Sequence, residues 1–310
     1  MRIVFMGTPD FAVPSLAILH EHGYDIAAVV TAPDKPAGRG RQIRVSPVKD
    51  YAMRHGLPVL QPEKLRDPAF VSRLQGLNAD LFIVVAFRML PEVVWQMPPQ
   101  GTFNLHASLL PQYRGAAPIN RAIMNGERET GLTTFFLQHE IDTGQILMQE
   151  RIDIGENETA GELHDRLMER GAQLVLQTVK GLQDKQIQPV AQDTLIRAEE
   201  HAGRELKEAP KIFKEDCRIN WDSSPEQIHN QVRGLSPYPT AFTELNGKQL
   251  KVYRSRMERQ AHQEPPGKFI TDQRTFLKVA VREGFIYLDE IQLEGKKRMD
   301  AREFLKGYRP

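Results

Sequence analysis

Asn104 and His106 stand one residue apart at the end of an apolar run, and a second polar cluster, His139-Glu140-Ile141-Asp142-Thr143-Gly144, falls between two β-rich runs. In extended backbone, residues i and i+2 point to the same side, so this amide and imidazole address one site. A carboxylate from the second cluster beside them supplies the parts of an acyl transfer between amines. One group relays the proton of the attacking amine, and donors hold the oxyanion of the tetrahedral intermediate. A single histidine after a strand is usually a satisfied structural residue, and an Asp before Thr-Gly can simply open a turn. The weight lies in their occurring together.

Other chemistries find little support. The turn Gly7-Thr8-Pro9-Asp10-Phe11-Ala12 occupies the place of a dinucleotide fingerprint but has one glycine, and Pro9 removes a backbone donor. A nicotinamide or flavin is therefore not expected. His20 and His22 lie two apart on a helix and do not share a face. The remaining histidines show no metal-ligand spacing, so no metal is expected. Cys217 is the single cysteine, which excludes an intrachain disulfide and suggests a small packed residue. The first residues read as a buried strand rather than a signal peptide. The most apolar run, residues 81–87, is too short to cross a bilayer. A cytoplasmic setting is expected, with no membrane contact and no obligate protein partner.

The elements that must carry these residues alternate in type. Apolar runs at 2–6, 26–31, 57–60, 81–86 and 101–105 predict buried strands. Helical patterns near 14–23, 48–54 and 69–77 lie between them. That alternation implies a doubly wound, mostly parallel α/β sheet, and ligands bind such sheets beyond the carboxyl ends of the strands. Residues 132–138 and 146–152 are β-rich, and 160–182 form one long amphipathic helix. Periodicity fades near 183–210. We therefore expect a catalytic domain over 1–188, a linker over 189–206 and a second domain over 207–310. In the last, a helix at 224–233 precedes short strands, with Asn246-Gly247 a strong hairpin signal. The pattern predicts a small open β-barrel of the OB-like kind.

The segment Asn104-Leu-His-Ala-Ser-Leu-Leu-Pro111, together with the Asp142-Thr-Gly loop, resembles the folate-dependent formyltransferase family. The resemblance implies a Rossmann-like catalytic domain using 10-formyltetrahydrofolate as donor. It implies that Asn104 and His106 polarise the formyl oxygen, and that Asp142 orients His106 and assists proton transfer. Ser108, Leu109, Leu110 and Pro111 match the segment lining the folate site, and Phe87 and Leu90 belong to the same pocket. Here the stretch Phe87-Arg88-Met89-Leu90-Pro91 departs from the family pattern, being one residue shorter and lacking a glycine.

The acceptor is suggested by charge. The chain carries 41 Lys+Arg and 40 Asp+Glu, but residues 206–310 hold 20 of the former against 15 of the latter. A basic final third points to a polyanion. The stretch from Asp34 to Lys49 has five basic residues and one acid, and is long for a connection in such a sheet. Its glycines let backbone approach a phosphate ribbon while guanidinium groups contact it. Loop and tail resemble those of family members that formylate methionyl-initiator tRNA in translation initiation. That implies Lys35, Arg39, Arg41, Arg44, Lys49 and Lys211 as RNA contacts. An amino-sugar formyltransferase, a formate-releasing hydrolase and an RNA-binding module with an inactive body are the alternatives.

Overall fold

Short apolar runs separated by helices build one sheet in the first half of the chain. The computed structural model describes residues 1–37, 42–201, 203 and 205–307. In chain order it has β1 (Arg2–Gly7), α1 (Val13–Glu21), β2 (Asp25–Val30), β3 (Lys35–Ala37), β4 (Gln42–Arg44) and α2 (Pro47–Arg54). There follow β5 (Val59–Leu60), α3 (Pro68–Gln75), β6 (Leu81–Val85), α4 (Glu92–Trp95), β7 (Thr102–His106) and β8 (Arg114–Gly115). Next come α5 (Pro118–Met124), β9 (Glu129–Phe136), β10 (Ile146–Asp153), α6 (Ala160–Gln183) and α7 (Gln192–His201).

Seven strands form a sheet in the order β10-β9-β7-β6-β1-β2-β5. The five from β7 to β5 run parallel, and β9 lies antiparallel to β7. This is the expected doubly wound, mostly parallel sheet. Ile3, Val4, Phe5, Leu81 and Ile83 are almost fully buried, which is why these strands read as unbroken apolar runs rather than alternating ones. The parallel strands β1, β6 and β7 all end on the same edge, so the chain segments after Gly7, Val85 and His106 leave the sheet together. Strands β3 and β4 pair as a small antiparallel ribbon within the basic stretch.

The later elements are β11 (Glu208–Ala209), α8 (Pro225–Leu235), β12 (Ala241–Leu245), β13 (Lys248–Arg259), β14 (Phe269–Thr271), β15 (Leu277–Val281), β16 (Gly284–Leu293), β17 (Met299–Asp300) and α9 (Ala301–Gly307). An antiparallel sheet orders β12-β13-β16-β15-β14, with β17 added to β16. The β12–β13 connection is the expected hairpin: Asn246 and Gly247 have φ of 50° and 74°, as a two-residue turn of matching twist demands. Register shifts in β13 at Val252/Arg254 and Arg254/Ser255 bend the longest strand pair, curling the sheet into a half-barrel. Ile228, Val232 and Leu235 of α8 share a core with Val252, Val279 and Ile286 of this sheet. Helix α8 begins with a reciprocal cap between Ser224 and Gln227.

The chain forms two compact units, Met1–Arg114 with Gly131–Ile152 and His164–Lys207, and Gly115–Thr130 with Asp153–Leu163 and Glu208–Pro310. Residues 115–130 and 153–163 thus group with the C-terminal sheet. The stretch 189–206 contains a ten-residue helix, α7.

Candidate active site

The catalytic candidates sit where β7 runs out. Leu105 faces α6, where a Cβ on Gly171 would come within 2.7 Å of its Cδ2. Asn104 and His106 alternate with it and share the other side of the strand. The Asn104 Oδ1 is buried and has no hydrogen-bond partner among the described residues. An orphaned buried acceptor costs about 1–3 kcal/mol, which a ligand donor would recover. His106 is buried, with its ring edge-on to Phe135 at 6.4 Å. Its Nε2 lies 2.9 Å from the Tyr113 carbonyl oxygen. A carbonyl can only accept, so Nε2 carries hydrogen and Nδ1 is the nitrogen left for chemistry. Facing Nδ1 at 3.9 Å is the Asp142 Oδ2. The distance is too long for a direct hydrogen bond but close enough for strong attraction to an imidazolium.

Asp142 is delivered by a tight loop. Its φ is 55°, in the left-handed region that aspartate tolerates better than most residues. Thr143 Oγ1 donates to the Glu140 carbonyl at 3.0 Å and receives the Gln138 amide at 2.7 Å. Gly144 has no room for a side chain, since a Cβ there would lie 1.6 Å from the Phe136 carbonyl oxygen. Gln192 donates to the carbonyls of Asp142 (2.8 Å) and Gly144 (2.9 Å), and Arg114 donates back to Gln192. Burial lowers the Arg114 pKa, and the negative charges of Asp142, Asp193 and Glu140 oppose that. Neither Gln192 nor Arg114 was marked by the sequence as part of the site.

The folate candidates form two groups. The turn from Ser108 to Pro111 is bolted to the sheet through Thr133, which donates to the Ser108 carbonyl (2.7 Å) and accepts the Leu110 amide (3.1 Å). Gln149 donates to the Leu110 carbonyl at 2.8 Å. Ser108 donates its hydroxyl to the Gln112 carbonyl, and Leu110 is packed in a core with Phe135 and Ile146. Leu109 lies half-buried against Gly131, and Pro111 is buried. The second group follows β6. Ala86 takes a φ of 47°, and Arg88 anchors the turn by donating to the carbonyls of Pro62 (2.8 Å) and Glu63 (3.0 Å). Phe87 packs against the core, and Leu90 lines a cavity of about 490 Å³ with Leu65, Met89, Pro91, Trp95 and His139. That is within the size range of small-molecule sites.

Of the basic candidates, Lys49 forms an ion pair with Asp34, whose carboxylate also accepts the Gln61 amide at 2.9 Å. These hydrogen bonds, Lys49 first, hold the Asp34 pKa below the usual value. Lys211 is exposed, with its Nζ 5.7 Å from the Phe213 ring centre. Lys35 and Arg44 fall in the paired strands β3 and β4, and Arg39 and Arg41 lie outside the described residues. Among the described residues no group of His, Cys, Asp and Glu is arranged to hold a metal ion, and no helix is long and apolar enough to cross a membrane.

Residues 1–179 match the family described as formyl transferase, and residues 211–309 match its C-terminal domain. The chain belongs to the formyltransferase family. Among formyltransferases, it is 53% identical over 314 residues to the methionyl-tRNA formyltransferase of Bacteroides thetaiotaomicron, covering 100% of this chain and 96% of that one. To the methionyl-tRNA formyltransferase of Phocaeicola vulgatus it is 55% identical over 315 residues, with the same coverage. Two solved structures share the fold at lower identity. WlaRD, a sugar 3N-formyl transferase, matches with a TM-score of 0.67 at 18% identity, over 96% of this chain and 99% of that one. HypX from Aquifex aeolicus, solved with tetrahydrofolic acid, matches at a TM-score of 0.66 and 18% identity, over 99% of this chain and 48% of that one.

Proposed function

We propose that this formyltransferase moves the formyl group of 10-formyltetrahydrofolate to the α-amino group of methionyl-initiator tRNA, supporting translation initiation. The observation that carries the chemistry is the meeting of Asp142 and His106 Nδ1 at 3.9 Å, on the strand end that also bears Asn104, whose buried Oδ1 has no partner among the described residues. The acceptor rests on full-length likeness to methionyl-tRNA formyltransferases, through both the catalytic and the basic C-terminal regions.

In this reading the amine nitrogen attacks the formyl carbon, forming a carbon–nitrogen bond and an oxyanion. The Asn104 amide donates to that oxygen, joined by Nδ1–H where His106 is in its imidazolium form. The Asn104 Oδ1 accepts a hydrogen from the incoming amine, which satisfies its buried lone pairs. Asp142 orients His106 and relays the amine proton toward N10 of the folate. The bond from formyl carbon to N10 then breaks, leaving the formamide and tetrahydrofolate. The folate sits along the turn of Ser108, Leu109, Leu110 and Pro111, with Phe87 and Leu90 at its ring. Lys35, Arg39, Arg41, Arg44 and Lys211 meet the RNA, and Lys49 joins them only by leaving Asp34. A cytoplasmic location belongs to the same reading.

The test offers labelled 10-formyltetrahydrofolate with charged initiator tRNA and, in parallel, a nucleotide amino sugar. Label on the methionyl-tRNA alone is expected. Label on the sugar, or free formate without any amine, would overturn the acceptor assignment.

A further inference from the structure

A buried side chain of α7 reaches the Asp142 loop from fifty residues downstream. Gln192 is 2% exposed and is the buried residue of that helix. Its amide hydrogens go to the carbonyls on either side of Thr143, those of Asp142 and Gly144. Its Oε1 accepts from Arg114 Nε at 3.1 Å and Nη2 at 2.6 Å. A primary amide has two donors and two acceptor sites, and here all four are used. Turning the amide over would set oxygen against two carbonyls and nitrogen against a guanidinium, so one orientation is fixed.

We propose that Gln192 is a positioning residue for formyl transfer: its amide clamps the backbone on both sides of Thr143 and so holds the Asp142 carboxylate opposite His106. The inference rests on the formyl-transfer reading above. Asp142 has φ of 55°, a conformation unfavourable for an L residue, which the surroundings must offset. The clamp does so at the peptide that sets the direction of its Cα–Cβ bond. With the clamp gone, Asp142 can relax toward negative φ, and its carboxylate swings away from Nδ1. Substrate contacts elsewhere are untouched, so the loss falls on turnover rather than on binding.

Gln192→Ala removes the clamp. Gln192→Glu keeps the shape and the bond to Arg114 but turns two donors into acceptors that face carbonyls. Each is made alone and in an Asp142→Asn background, with kcat, KM for both substrates and melting temperature measured. Both single variants are expected to lose about 10–100-fold in kcat, as for a misplaced catalytic group, with KM changed less than about threefold. In the Asp142→Asn background the same changes are expected to cost less than about threefold more, since the residue they act through is already disabled. Equal losses in both backgrounds, or a raised KM with kcat kept, would overturn the proposal. So would a lower melting temperature with normal turnover. Near-normal turnover by Asp142→Asn alone would remove Asp142 from the mechanism and this inference with it. An impaired Asp142→Asn beside unaffected Gln192 variants would overturn this one alone.

Discussion

Asn104 carries a buried oxygen with no hydrogen-bond partner among the described residues, and that makes a distinctive prediction. Asn104→Ala should lower kcat by about 10²–10³, the loss expected for one oxyanion donor. It should do so with no matching fall in melting temperature, because it also removes an unsatisfied acceptor. A parallel drop in stability and turnover would mean that Asn104 is structural. Asp142→Asn should cost about 10²–10⁴ in kcat, as for a positioned proton-transfer group, and single-turnover kinetics would separate this from slowed release. Asn104, His106 and Asp142 could be singled out in the sequence as candidates because their spacing and type are chemical statements in themselves. Gln192 and Arg114 were not, because they act through backbone carbonyls and an amide, which leave no pattern between residues so far apart. Leu110 shows the opposite limit. A motif can mark a residue whose side chain belongs to the core, joined there by Phe135 and Ile146, while its backbone faces the turn.

Helix ends and turns decide how those residues are held. Thr159 and Glu162 form a reciprocal cap before α6: the Thr159 amide and hydroxyl both donate to Glu162 Oε2 at 2.8 Å, and the Glu162 amide donates to Thr159 Oγ1 at 3.3 Å. The Thr159 amide first, and then Arg254, hold the Glu162 pKa down at about 2. A depressed carboxylate pKa gives stability that is complete above its ordinary value near 4.5 and is lost as pH falls through about 2. Glu162→Gln should therefore melt lower than the native chain at neutral pH, and the gap should close between about pH 4.5 and pH 2. A gap unchanged across that window would show that the charge contributes nothing. The same local view explains what could be read in advance. Strands buried on both faces announce themselves as apolar runs, and Asn246-Gly247 announces its hairpin. Helix α7 does not, because its buried side chain is the polar Gln192 and its apolar residues, Leu195, Ile196 and Ala198, are few. Strands of two or three residues, such as β3, β4, β8 and β11, are too short for any periodicity to register.

Charge is spread unevenly along the chain, and its consequence is a difference between the two substrates. With 20 basic and 15 acidic residues in positions 206–310, the C-terminal region suits a polyanion, whereas a folate carries few charges. Each phosphate neutralised by a lysine or arginine releases counterions, so tRNA binding should weaken steeply as salt rises. The KM for the tRNA should therefore climb with ionic strength while the KM for the folate stays nearly flat. Arg39→Ala and Lys211→Ala should each raise the tRNA KM and reduce its salt slope by about one, leaving the folate KM unchanged. Lys49→Ala should alter that slope less, because Lys49 is already paired with Asp34. A fall in folate affinity on changing Arg39 would place the basic loop at the donor site instead. A tRNA KM indifferent to salt would mean that acceptor recognition does not run through these charges at all.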